Sequence, residues 1–119
     1  MKVIDSGVIL DREQLRDITL NDAGLMAEIM SALVEHTSQQ IHRLAEAVRD
    51  HDQSGCLRMA HSCKGACANV GANRAAALFL EIERNASAGT FEMCGDTLGT
   101  LRGEIELLRA EAQSLIAAI

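Results

Sequence analysis

The chain has 119 residues, of which 48% are hydrophobic and 2% aromatic; it contains no proline and has a formal net charge of −6. This length corresponds to one domain, and the lack of proline among many helix-favouring residues predicts an all-α fold. The negative charge argues against a general affinity for nucleic acid. No apolar run reaches the roughly 18 residues that span a bilayer, and the start lacks the features of a signal peptide. We therefore expect a cytoplasmic protein that does not enter a membrane.

The first predicted helix is short and follows a segment without helical periodicity. Residues 1–10 are interpreted as a loosely ordered lead-in, and the domain is expected to span residues 11–119. Asp11 is a suitable N-cap for the short helix, because its carboxylate can accept a hydrogen bond from a free backbone N–H. Leu15 and Ile18 are expected to face inward.

A second, long helix is predicted to begin at Asn21 as its N-cap and to end near Arg49. Asp22 falls in its first turn, where the helix dipole favours an acidic side chain. Its apolar residues recur at spacings of three, four and seven, which indicates one buried face of a helix. They are Leu25, Met26, Ile29, Met30, Leu33, Val34, Ile41, Leu44, Ala45 and Val48.

The third predicted helix contains the segment RMAHSCKGACANVGA, from Arg58 to Ala72. Asp52 is its expected N-cap, and Gly71 is suited to end it. The periodicity directs one set of residues inward: Leu57, Ala60, Cys63, Cys67 and Val70. It directs another set outward: Arg58, His61, Ser62, Gly65 and Asn69, with Lys64 at the edge.

The cysteines of the chain are interpreted as small, reduced core residues. Cys56, Cys63 and Cys67 share one helical face, and Cys94 lies in the last predicted helix. A zinc site would require paired short spacings such as Cys-x-x-Cys, which are absent, so we predict no metal site. A redox role for Cys67 or Cys94 stays open.

Two further helices complete the predicted fold. One spans about Ala72 to Ser87 and is ended by Gly89, and Thr90 is the expected cap of the next. The inner stripe of the first is Ala75, Ala76, Phe79, Ile82 and Ala86. That of the last is Cys94, Leu98, Leu101, Ile105, Leu108, Ala112, Leu115 and Ile119. The short connections predict an antiparallel up-down-up-down four-helix bundle with a short extra N-terminal helix.

The residues around His61 indicate a chemical role. Residues three and four apart lie on the same helical face, so Lys64 and Gly65 share the face of His61. The lysine disfavours the charged imidazolium and leaves the ring nucleophilic, while the glycine keeps the approach open. We interpret His61 as a phosphoryl carrier that another protein must reach. The remaining histidines are interpreted as solvated surface residues: His36, His42 and His51.

The distribution of charge along the chain favours a docking partner. No acidic residue lies between Asp52 and Glu81, whereas Arg58, Lys64 and Arg74 fall within that window. This predicts a mildly basic, acid-free zone around the histidine. Such a zone would be complementary to an acidic pocket and would assist encounter more than affinity.

The segment AHSCKGACANVGA resembles the signature of histidine-containing phosphotransfer (HPt) domains, Ala-His-x-Leu-Lys-Gly followed by a Gly-Ala pair. The helix order is also similar from about Asp11 onward, and Ile82 and Glu83 precede a glycine turn as a Leu-Glu pair does in the family. Cys63 departs from the pattern, since leucine is usual there. The matching residues are Ala60, His61, Lys64, Gly65, Gly71 and Ala72.

The resemblance implies a phosphorelay carrier rather than an enzyme, with His61 as phosphoacceptor and Lys64 stabilising the phosphoryl charge. The implied partners are a hybrid histidine kinase and the receiver domain of a response regulator, which would supply the aspartate and the magnesium ion. The chain has no ATP-binding motif, and we expect a monomer without a cofactor of its own. The expected partner-binding residues are Arg58, Ser62, Gly65, Ala68, Asn69 and Arg74.

Two alternatives stay open at this point. The chain could be a docking module that binds a receiver or kinase without carrying phosphate, although such a module has no need of an intact His61. It could also be part of a histidine kinase, either the dimerisation and phosphoacceptor part or a phosphotransfer domain cut from a larger hybrid or chemotaxis-type kinase. The role of Gly99 and Gly103, one turn apart in the last helix, is open too; they could allow a close helix approach.

Overall fold

A computed structural model describes residues 8–118 and contains five helices in that range. The helices α2 to α5 form a ring in which α3 packs between α2 and α4, and α5 closes against both α4 and α2. The short α1 packs against α3. This confirms the predicted all-α bundle with an extra N-terminal helix. The bounds are α1 Arg12–Ile18, α2 Ala23–Arg49, α3 Gln53–Val70, α4 Asn73–Ser87 and α5 Phe91–Ala117.

One core fills the ring, and most predicted inward residues contribute to it. The whole predicted stripe of α4 is buried, with Phe79 as its largest member. The predicted stripe of α5 is buried from Cys94 to Ala112; Leu115 packs partly against the core, and Ile119 lies outside the described residues. None of the helices in residues 8–118 is both long enough and apolar enough to cross a bilayer.

The packed part of the chain begins before the predicted boundary at Asp11. Leu10 is buried in the core and Ile9 packs against it, so the predicted lead-in is wrong at its end; residues 1–7 lie outside the described range. The Asp11 amide donates to the Gly71 carbonyl at 2.8 Å and ties this segment to the α3–α4 turn. Asp11 also caps α1 as predicted, accepting from the Gln14 amide at 3.1 Å.

The inward position predicted for Ile18 is wrong. Its side chain is 48% exposed because α1 ends there and the chain reverses. Thr19 is buried instead, and its hydroxyl donates to the Leu15 carbonyl at 2.8 Å. A threonine can enter the core in this way because its one polar group is satisfied by the preceding turn.

The predicted cap of α2 is displaced by one residue, from Asn21 to Asp22. Leu20 and Asn21 have positive φ angles of 53° and 62°, so the reversal of the chain is not complete until Asp22. The Asp22 carboxylate then accepts from the Leu25 amide at 2.9 Å. Leu25 itself is exposed in this first turn, contrary to the predicted stripe.

Both ends of α3 form as predicted, and the C-terminal end requires a glycine. Asp52 caps α3 by accepting from the Gly55 amide at 3.0 Å. Gly71 ends the helix with φ of +93°, a left-handed conformation that costs other residues free energy. A Cβ atom at Gly71 would also lie 2.7 Å from the Asp11 carbonyl oxygen.

The suggested close approach at Gly99 and Gly103 is wrong. Both glycines are exposed, and a Cβ atom at either would meet no atom within 4 Å.

At the start of the same helix, Thr90 occupies the predicted cap position. Its hydroxyl does not cap α5 but donates to the Asn85 carbonyl at 3.0 Å.

Candidate functional site

His61 projects from the middle of α3 into solvent. Its side chain is 73% exposed, while its neighbours Ala60 and Cys63 are fully buried beneath it. The helix therefore anchors the backbone firmly and leaves the ring accessible. Lys64 lies one turn further along, with 28% of its side chain exposed, at the edge of α3 where it was predicted.

Glu83 of α4 joins these two residues and was not predicted as part of the site. Its Oε1 atom lies 2.8 Å from Lys64 Nζ and 3.3 Å from His61 Nδ1. The carboxylate is only 19% exposed, so it meets the ring and the ammonium from beneath the surface. One carboxylate oxygen thus faces both a cation and an imidazole.

The sequence does contain a signal that would have revealed Glu83. Antiparallel helices joined by a tight turn place residues equidistant from the turn at the same level. The turn is centred near Ala72, so a residue eleven positions before it, His61, pairs with one eleven positions after it, Glu83. The predicted acid-free zone is wrong because it counted charges along the chain and not across this hairpin.

Five of the predicted partner-binding residues form one exposed face with His61. A Cβ atom added at Gly65 would meet nothing within 4 Å, so the surface beside the ring is open. The side-chain amide of Gln14 donates to the backbone carbonyls of Ala68 at 2.6 Å and Asn69 at 3.3 Å, which holds the end of this face. The exposed residues are Arg58, Ser62, Gly65, Ala68 and Asn69.

Arg74 does not belong to this face. Its guanidinium pairs with the Glu104 carboxylate of α5 at 2.9 Å. Arg74 precedes Glu83 by nine residues, about 13 Å along the axis of α4. The expected contribution of Arg74 to a basic surface around His61 is therefore wrong, because the side chain is turned to the opposite seam of α4 and neutralised there.

The cysteines are buried, as their interpretation as core residues predicted. Burial raises the pKa of Cys63 to about 11 and, with a smaller effect of Cys63, that of Cys67 to about 12. Burial likewise raises the pKa values of Cys56 and Cys94. The thiols therefore stay protonated near neutral pH. Within residues 8–118, no group of three or more His, Cys, Asp or Glu residues is placed to hold a metal ion.

The other histidines lie on the surface and away from comparable partners. His36 and His42 are exposed on α2. His51 is exposed after α2 and stacks on Phe91, with ring centroids 4.6 Å apart. In the described part of the chain, His61 alone is a histidine with an ion-pair contact to a carboxylate.

Comparisons with known proteins agree with this geometry. The family model for the Hpt domain matches residues 28–111. No curated protein sequence matches the chain significantly. Among solved structures, histidine-containing phosphotransfer protein B (HptB) from Pseudomonas aeruginosa PAO1 has a similar fold, with a TM-score of 0.82 and 21% identity. The match covers 89% of this chain and 92% of that one. The chain belongs to the Hpt domain family, and its function is histidine phosphotransfer in a phosphorelay.

Proposed function

We propose that His61 is the residue that carries the phosphoryl group, in exchange with an aspartate of a response-regulator receiver domain. The observation that carries this proposal is the exposed imidazole whose Nδ1 atom lies 3.3 Å from the Glu83 carboxylate. Hpt domains interact with receivers and kinases in phosphorelays. The receiver of this chain would bring the aspartate and a magnesium ion, and a hybrid kinase would be the source of phosphate.

The negative charge of Glu83, whose Oε1 atom lies 3.3 Å from His61 Nδ1, favours one of the two neutral forms of the ring. In a neutral imidazole, one nitrogen carries the proton and the other has a free lone pair. The carboxylate favours the proton on Nδ1, the atom that faces it. The lone pair is then on Nε2, the nitrogen on the far side of the ring from Glu83.

Transfer is then a direct exchange between two side chains. The Nε2 lone pair attacks the phosphorus of the aspartyl phosphate, an N–P bond forms, and the P–O bond to the aspartate breaks. The aspartate leaves as a carboxylate, and the ring becomes a cation that keeps its Nδ1 proton. Glu83 stabilises this positive charge and Lys64 stabilises the phosphoryl oxygens, so each charge that develops has a fixed counterpart.

The assignment is tested by replacing His61 with glutamine and incubating the protein with a phosphorylated receiver. The wild type should gain an acid-labile, base-stable label, and His61→Gln should gain none while keeping the helical circular dichroism and melting temperature of the wild type. His42→Gln is a matched control, because His42 is an exposed histidine on another helix, and it should label normally. Label on the His61→Gln protein would refute the assignment.

The same experiment separates carriage from docking alone. A module that binds a receiver without carrying phosphate would retain the receiver on a column but gain no label in either the wild type or the variant. A carrier gains label and releases it to a second, unphosphorylated receiver. The intact network of His61, Lys64 and Glu83 favours the carrier.

A further inference from the structure

We propose that Arg84 is a docking residue which, together with Arg58, brackets His61 and attracts the acidic pocket of the receiver. This inference rests on the proposed function and names the positive charges by which the same face recognises its partner. Arg84 belongs to α4, not to the helix of the phosphoacceptor. The charge pattern around His61 on α3 alone does not reveal it.

The faces of α4 place Arg84 beside the ring. Glu83 points toward α3, where it contacts Lys64 and His61, whereas Arg74 points toward α5. Successive helical residues are about 100° apart around the axis. Arg84 follows Glu83 directly and therefore lies about 100° further around α4, on the exposed outward face of the helix and near the level of His61.

Arg58 occupies the other side of the ring. It precedes His61 by three residues, about 4.5 Å along the axis of α3, and is displaced around that helix away from α4. His61 is thus flanked by one arginine on its own helix and another on the neighbouring helix. Both arginines are exposed, and neither has an ion-pair or hydrogen-bond partner among residues 8–118.

Two other cations of this region, Lys64 and Arg74, are neutralised by carboxylates, which leaves Arg58 and Arg84 to attract an acidic partner. Lys64 is paired with Glu83, and Arg74 is paired with Glu104. Each pair has no net charge at long range, so the two pairs contribute little to attraction of a distant acidic surface. Arg58 and Arg84 are therefore the cations near His61 that are not already paired with a carboxylate among residues 8–118.

The surface that runs from His61 toward the α3–α4 turn suits a close partner. Gly65 and Ala68 of α3 and Ala77 of α4 are exposed and small, and Leu80 is half-buried beside them. Small side chains permit a flat approach to the ring, and the arginines supply charge at its sides. A protein surface with an acidic pocket and an apolar rim fits this face better than a free small anion does.

If Arg84 served only to stabilise the end of its helix, Arg84→Glu would affect transfer no more than the same change at another helix end. Arg84 lies in the last turn of α4, where a cation also stabilises the helix dipole. Arg49 lies in the last turn of α2 and is likewise exposed. It continues the row of Ser38 and His42, which line the groove between α2 and α5. Arg49 therefore has the same helix-end role but lies on another side of the bundle.

The test compares Arg84→Glu with Arg49→Glu, which change the net charge equally. Phosphotransfer from a phosphorylated receiver is measured at sub-saturating and saturating receiver, over a range of salt concentrations. Arg84→Glu should slow sub-saturating transfer about tenfold at low salt, with the difference shrinking as salt rises. Its rate at saturation should stay near that of the wild type, and Arg84→Lys should retain most of the function. Arg49→Glu should stay within about twofold of the wild type at all salt concentrations.

Binding of unphosphorylated receiver, followed by calorimetric titration in magnesium buffer, gives a second readout independent of labelling. Weaker binding by Arg84→Glu than by Arg49→Glu supports the proposal. Equal effects of the two variants, or an Arg84→Glu effect explained wholly by a lower melting temperature, overturn it while leaving the role of His61 intact. If the wild type neither binds nor accepts label from any receiver, both proposals fall. If it binds without labelling, only the role of His61 is refuted.

Discussion

Two ion pairs of similar length join neighbouring helices of this bundle in different surroundings. Lys64 and Glu83 link α3 to α4 at 2.8 Å, and Arg74 and Glu104 link α4 to α5 at 2.9 Å. Glu104 is only 5% exposed; its Oε1 atom, like that of Glu83, has no partner in hydrogen-bond geometry among residues 8–118. Glu83 is more accessible and also faces an exposed imidazole. The two pairs thus differ in their surroundings: the Arg74–Glu104 pair is enclosed, whereas the Lys64–Glu83 pair borders the imidazole that we propose as the phosphoryl carrier.

The largest effect on stability is expected from breaking the α4–α5 pair. Arg74→Met leaves the Glu104 carboxylate buried without its cation, so the free energy of unfolding should fall by about 3 kcal/mol. Urea denaturation measures this, and the folded variant should transfer phosphate at the wild-type rate. The double variant Arg74→Met, Glu104→Leu should recover most of the loss. A loss below about 1 kcal/mol in the single variant would show that Glu104 is solvated well enough to stand alone.

The next effect concerns chemistry and should appear in the variant Glu83→Gln. The neutral amide of this variant cannot stabilise the positive charge that develops on the ring, so the transfer rate at saturating receiver should fall about tenfold or more. Stability should change by less than about 1 kcal/mol, because Lys64 can turn toward water. Single-turnover transfer and a melting curve measure the two quantities. A large stability loss with normal transfer would make this pair equivalent to the Arg74–Glu104 pair and remove the contrast.

The smallest effect is expected from Lys64→Met. Methionine retains the aliphatic packing of the lysine stem, so the free energy of unfolding should change by less than about 1 kcal/mol. Without the cation, the phosphoryl group on His61 loses its counter-charge, and the half-life of the label should shorten severalfold. Decay of labelled protein after removal of the receiver measures this half-life. An unchanged half-life would assign all of the charge stabilisation to the partner.

The fold was predictable because its signals are local. Apolar spacing and capping residues predicted all five helices and most of the core. The errors occur where tertiary geometry decides the outcome. Ile18 is exposed because the seven-residue helix α1 ends at that position. Asp22 and not Asn21 caps α2, because the reversal of the chain takes one more residue. The burial of Leu10 could not be predicted, because no periodicity shows that a single residue before a cap enters the core.

The site was predictable only as far as one helix extends. His61, Lys64 and Gly65 share a face of α3 by spacing alone, and the structure places them there. Glu83 enters from α4, so its contact depends on the register of the hairpin. Arg74 lies outside the predicted basic zone around His61, because distance along the chain does not determine which neighbouring helix its side chain faces.

Gly71 has a consequence that reaches beyond its own turn. Any other residue there would force its Cβ against the Asp11 carbonyl and displace the segment that carries Gln14, whose amide covers the last carbonyls of α3. Without the two hydrogen bonds from Gln14, the last turn of α3 would fray. The surface that we propose for receiver docking would then be less rigid. The rigidity of the end of α3 thus depends in part on a turn residue that has no side chain.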